Sequence, residues 1–62
     1  MNDHQRFLRV ELNTISKLWE VRVDGYKQFE STAFIAAESF AHQWRDDRPS
    51  LDVFLSFDKT GA

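Results

Sequence analysis

The stretch Thr32-Ala33-Phe34-Ile35-Ala36-Ala37-Glu38-Ser39-Phe40-Ala41-His42-Gln43-Trp44-Arg45 decides the architecture of this chain. Stepping about 100° per residue gathers Ala33, Ala37, Phe40, Ala41 and Trp44 on one stripe, the pattern of a helix with one apolar face. The alanines let such a helix lie close to what it covers, while Phe40 and Trp44 fill the space between. Phe34 falls at the stripe's edge and is expected to cover the rim. Ser31 or Thr32 is the expected N-cap, because a side-chain oxygen there can accept from the first unpaired amides. Arg45 suits the negative end of the helix dipole. Pro49 forbids continuation, so the helix should end near Asp46 or Asp47.

The flanks of this helix alternate with period two, as half-buried strands do. Leu8, Val10 and Leu12 share one side of the first run, and Phe7, Arg9 and Glu11 the other. Asn13-Thr14-Ile15-Ser16 reads as a turn, since Asn and Ser bond locally to the backbone. In the second run Trp19, Val21 and Val23 oppose Glu20, Arg22 and Asp24. Asp24-Gly25 then signals a two-residue hairpin, whose type I′ turn needs two residues tolerant of positive φ. A third strand from Tyr26 to about Glu30 follows. In an unbroken register Val21 faces Gln28, and Phe29 lies on the outer face. A bulge would instead tuck Phe29 under the start of the helix. After the helix, Leu51, Val53, Leu55 and Phe57 are expected inward, with Asp52, Phe54, Ser56 and Asp58 outward.

The order is therefore β-β-β-α-β, an α+β fold with a small antiparallel sheet of three to four strands and one helix on one face. A right-handed crossover through the helix can lay the last strand beside the first. The 62 residues make one domain, with 1–5 and 59–62 expected as flexible tails.

Such a short chain buries only about 60% of the surface its unfolded form exposes. There is no cysteine, which excludes disulfides and thiolate metal sites. His4 and His42 lack partners at any metal-ligand spacing. Cohesion must come from six Phe, two Trp and one Tyr, helped by self-association if the chain forms a homodimer. Eight basic and ten acidic residues are spread evenly and give a net charge of −2, without the basic stripe of a duplex binder. No apolar run approaches the roughly 20 residues of a membrane span. The N-terminal residues lack the apolar segment of a signal peptide, which leads to the expectation of a cytoplasmic protein.

Catalytic constellations are missing. No nucleophile elbow or triad spacing occurs. With glycine only at Gly25 and Gly61, no phosphate loop can form. Asp46-Asp47, beside Arg45 and Arg48, reads as a solvated helix end. His42 is expected on the outer flank of the helix as a surface residue. The chain is thus expected to be no enzyme and to hold no cofactor or metal.

The open sheet face is the informative surface. It is expected to present Phe7, Arg9, Glu11, Glu20, Arg22, Lys27, Asp52 and Phe54. Aromatic residues grouped with arginine on a solvent face are typical of an interaction site. Phe7 and Phe54 become neighbours if the last strand lies beside the first. Ile35, about 200° from Ala33 on the wheel, marks a second exposed apolar position on the helix. The expected partner-binding residues are Phe7, Arg9, Glu11, Glu20, Arg22, Asp52, Phe54 and Ile35.

Leu18-Trp19-Glu20-Val21-Arg22-Val23, followed by Phe29-Glu30-Ser31-Thr32-Ala33-Phe34-Ile35-Ala36-Ala37-Glu38-Ser39-Phe40-Ala41, resembles small accessory proteins of phages and mobile elements. These share a strand, a polar helix start and an alanine-rich helix, over about half of this chain. Some are inhibitors of the anti-CRISPR type. The resemblance implies inhibition by occupying a host defence protein or a protein–nucleic acid complex, with Glu11, Glu20, Asp24, Asp52 and Asp58 competing for a nucleic-acid groove. Two other readings stand beside it. In one, Phe7, Phe54 and Phe29 stack single-stranded bases while Arg9, Arg22 and Lys27 meet phosphates. Shared carboxylates and negative net charge weigh against direct nucleic-acid binding. In the other, Phe7 and Phe54 join two copies face to face in an isologous dimer.

Overall fold

The computed structural model describes residues 4–58. Strand β1 spans Gln5–Asn13, β2 Leu18–Val23, β3 Tyr26–Ser31 and β4 Asp52–Asp58, and helix α1 spans Phe34–Asp46. The strands form one sheet in the order β3-β2-β1-β4. The α+β class and the placement of the last strand beside the first follow the expectation. The sheet itself is mixed: β1–β2 and β2–β3 are antiparallel, whereas β4 runs parallel to β1. Two hairpins leave β3 pointing the same way as β1. The helix then carries the chain back across the sheet, so β4 repeats that direction.

Local chemistry sets the turns. Asn13 Oδ1 accepts from the amides of Ile15 at 2.9 Å and Ser16 at 3.1 Å, and Lys17 N–H closes onto the Asn13 carbonyl at 2.7 Å. Asp24 and Gly25 have φ of 52° and 90°, the doubly positive signature of the expected I′ turn. Asp24 also accepts from Phe7 N–H at 3.0 Å, tying the turn to β1.

Of the two registers left open for β3 the bulged one is realised, and other local expectations are corrected. The β2–β3 ladder shifts between Val21 and Arg22, so Val21 faces Phe29 rather than Gln28. This bulge turns Phe29 to the helix side, where its ring stacks on Phe40 at 4.6 Å. The N-cap is Ala33, not Ser31 or Thr32. Ser31 is used as the last ladder residue of β3, opposite Trp19, and its hydroxyl accepts from Ala33 N–H at 3.1 Å. At the N-terminus, β1 already includes Gln5, and the His4 carbonyl accepts from Asp52 N–H at 2.6 Å. The expected tails at 1–3 and 59–62 lie outside the described residues.

Leu8, Val10, Trp19, Val21, Val23, Ala37 and Ala41 are the buried core, with Phe34, Phe40, Trp44, Val53 and Leu55 packed around it. Phe34 does more than cover a rim, since it meets Trp19 edge-on at 4.8 Å. The helix lies on β1, β2 and β3. Strand β4 is less covered, and Phe57, on the helix side of the sheet, stays 39% exposed. His42 is not on the outer flank as expected: it is half-buried, with its ring 6.0 Å from that of Phe57.

Candidate partner-binding face

The registers of the four strands sort the outer sheet face into rows. Lys27, Arg22 and Arg9 stand side by side across β3, β2 and β1, and Ser56 of β4 completes their row. The next row is Glu30, Glu20, Glu11 and Asp58. Like charges directly opposite one another repel. Here each basic group reaches the acidic row instead, along its own strand and, for Arg9 and Arg22, diagonally to a neighbouring one. Arg9 pairs with Asp58 at 2.6 Å and Glu11 at 3.3 Å, and Arg22 with Glu11 at 3.3 Å and Glu20 at 2.9 Å. Lys27 pairs with Glu30 at 2.9 Å. The result is an alternating chain Asp58–Arg9–Glu11–Arg22–Glu20 across β4, β1 and β2, with a separate Lys27–Glu30 pair on β3.

Glu20, at the β2 end of this chain, is only 4% exposed. Asn13 Nδ2 donates to one of its oxygens at 3.2 Å, and Arg22 donates to the other through Nε at 3.1 Å and Nη2 at 2.9 Å. The Asn13 bond is the main reason that its carboxyl titrates below the ordinary range, and Arg22 adds to the effect against the opposing influence of burial. The Asp58 bond in turn pushes the Arg9 guanidinium higher still.

On the other side of the basic row the face becomes apolar. Phe7 and Phe54 are register partners on β1 and β4, with ring centroids 5.4 Å apart and planes 21° from parallel. They remain 61% and 51% exposed. Asp52 is exposed on the same face, one row further out beside Gln5.

The expected site residues therefore divide into three groups. Phe7, Phe54 and Asp52 form an accessible edge. Arg9, Glu11, Arg22 and Glu20 form the lattice, in which Glu20 is too buried to touch a partner. Ile35 is 70% exposed but stands on the helix, across the sheet from the rest. Ile15 and Tyr26, also exposed, were not singled out by sequence reasoning. Ile15 was legible, being a β-branched residue inside a polar turn with no strand face to join. Arg48, at the helix end, lies over the Trp44 ring at 4.0 Å.

Among the described residues there is no cavity, no metal-ligating cluster, and no helix long and apolar enough to cross a membrane. Comparison of the chain with protein-family models, curated proteins and solved structures finds no match.

Proposed function

We propose that this chain is a cytoplasmic, non-catalytic protein-binding module that docks an apolar segment of a partner protein on Phe7 and Phe54. One observation carries this reading: two stacked, half-exposed phenyl rings lie beside a charged surface whose cations are all paired with carboxylates. Burying the rings supplies favourable free energy at roughly 25 cal/mol per Å² of apolar area. The adjoining Arg9 and Asp52 supply a polar rim of the kind that borders such contacts. The stacking-platform alternative is disfavoured by the same geometry. Phosphates would have to displace Asp58, Glu11, Glu20 and Glu30 from Arg9, Arg22 and Lys27 before gaining any contact. The narrower reading, a phage-type inhibitor that occupies a host defence protein or nucleoprotein complex, rests on the resemblance of Leu18–Val23 and Phe29–Ala41.

Capture from host lysate with tagged protein, after nuclease treatment and across a salt series, tests the proposal. A protein retained by the wild type and lost with folded Phe54→Ala supports it and identifies the target. Recovery of nucleic acid alone, released steeply by salt, or full retention by Phe54→Ala, overturns it.

A further inference from the structure

The two edges of the sheet are treated differently. Edge strands offer unpaired amides and carbonyls to other chains, and proteins usually blunt them with bulges, lysines or prolines. Strand β3 is blunted by its bulge and by the Lys27–Glu30 pair. Strand β4, Asp-Val-Phe-Leu-Ser-Phe-Asp, has no bulge, lysine or proline, and its charges stand only at its two ends. Among the described residues no element pairs with its outer side. The direction of its free groups follows from one bond. Asp52 N–H points to β1, onto the His4 carbonyl. By the alternation of a parallel ladder, Phe54 and Ser56 also point to β1, and Val53, Leu55 and Phe57 direct their amides and carbonyls outward.

We infer that β4 is a homodimerisation edge, pairing antiparallel with β4 of a second copy about a two-fold axis at Phe54, to make one eight-stranded sheet. The charge pattern selects both the occupant and the register. Centring on Phe54 places Val53 opposite the partner's Leu55, Asp52 opposite the partner's Ser56, and the two Phe54 rings opposite each other. Val53 and Leu55 then exchange the main-chain bonds. The Phe54 pair falls at the non-bonded position, where side chains approach most closely. Centring on Leu55 would set Asp52 against the partner's Asp58 twice, and centring on Ser56 would set Phe54 against Asp58. Of these three registers only the first opposes no acid to an acid or to an aromatic ring, and centring further along, on Phe57, would pair only three residues of β4 with their mates. It also leaves both outer faces open. Phe7, Phe54 and their symmetry mates become one continuous four-ring ladder, unlike the face-to-face dimer, which would cover them.

The inference stands on edge anatomy, independently of the partner-binding reading, and its test reads only self-association. Ser56 and Asp52 are exposed, so changing them leaves the core untouched. Sedimentation equilibrium of the wild type should show a monomer–dimer equilibrium. Ser56→Asp sets aspartate against Asp52 on both sides of the axis and should weaken dimerisation about tenfold or more. Adding Asp52→Lys to Ser56→Asp reverses one charge of each pair and should restore it. Hydrogen exchange supplies a readout free of any variant: protection of the Val53 and Leu55 amides should rise with wild-type concentration. A wild type that stays monomeric overturns the inference. So does a dimer indifferent to Ser56→Asp, one that the second substitution fails to restore, or concentration-independent exchange at Val53 and Leu55.

Discussion

Glu20 is an acid on the solvent side of a sheet that is nonetheless buried, and its partners explain why this is tolerated. Asn13 and Arg22 supply three hydrogen bonds to its two oxygens, so the ionised form is favoured despite lost hydration. Its folded-state pKa lies below the ordinary value of 4.5. The stability this contributes is present above that value and is lost as pH falls through the folded pKa. Glu20→Gln should therefore flatten the decline in unfolding free energy between roughly pH 5 and 3. At neutral pH the same variant should be less stable by about 1–2 kcal/mol, measured by urea unfolding. At the neighbouring turn, Gly25 has φ of 90° and nothing within 4 Å of where a Cβ would stand. Gly25→Ala should cost about 1–2 kcal/mol through backbone strain alone, since no contact is created or lost.

The elements depend on how closely helix and sheet approach. Ala37 and Ala41 are fully buried against the strands, and a larger side chain there has no space to enter. Ala41→Leu should destabilise by about 1–3 kcal/mol, seen as a lower urea midpoint at unchanged slope. The bulge in β3 makes a second test, because it decides which face Phe29 occupies. Phe29→Ala removes a ring stacked on Phe40 and should cost about 2–3 kcal/mol. Phe54→Ala, on the open face, should cost less than about 1 kcal/mol in the monomer. Equal costs for the two would contradict the face assignment. Alternation told helix from strand along most of the chain, and Asp24-Gly25 located its hairpin. The bulge carried no comparable signal. Gln28 is the residue skipped in the ladder, and alternation cannot mark a break of one residue in a run of six.

At the scale of the whole molecule, the outer face is a charge lattice ending in an aromatic pair. Each exposed ion pair contributes little, on the order of 0.2–1 kcal/mol. Their larger effect is on what the surface can bind, since each cation in the rows already faces a carboxylate. Fluorescence titration with single-stranded oligonucleotides should accordingly give weak binding whose logarithm falls with log salt at a slope of about one or less. A steep slope would show that Arg9, Arg22 and Lys27 release their carboxylates to phosphates. The candidate residues Phe7, Arg9, Glu11, Arg22, Asp52 and Phe54 were readable as outward-facing from alternation alone. That Glu20 is buried among them was not, because its cover comes from Asn13 at the end of another strand and from Arg22 two positions along its own.

Apolar period, turn chemistry and the absence of cysteine determined by themselves that this chain is one α+β layer pair, with Ala37, Phe40, Ala41 and Trp44 facing the sheet. These are local properties, fixed by geometry that each segment carries with it. Tertiary structure alone decided that β4 runs parallel to β1 and in what register the strands pair. Whether Arg9 meets a phosphate or Asp58, and whether Phe7 finds Phe54, depends on β4 returning parallel to β1. That return brings together residues more than forty positions apart, and no periodicity within either strand records its partner.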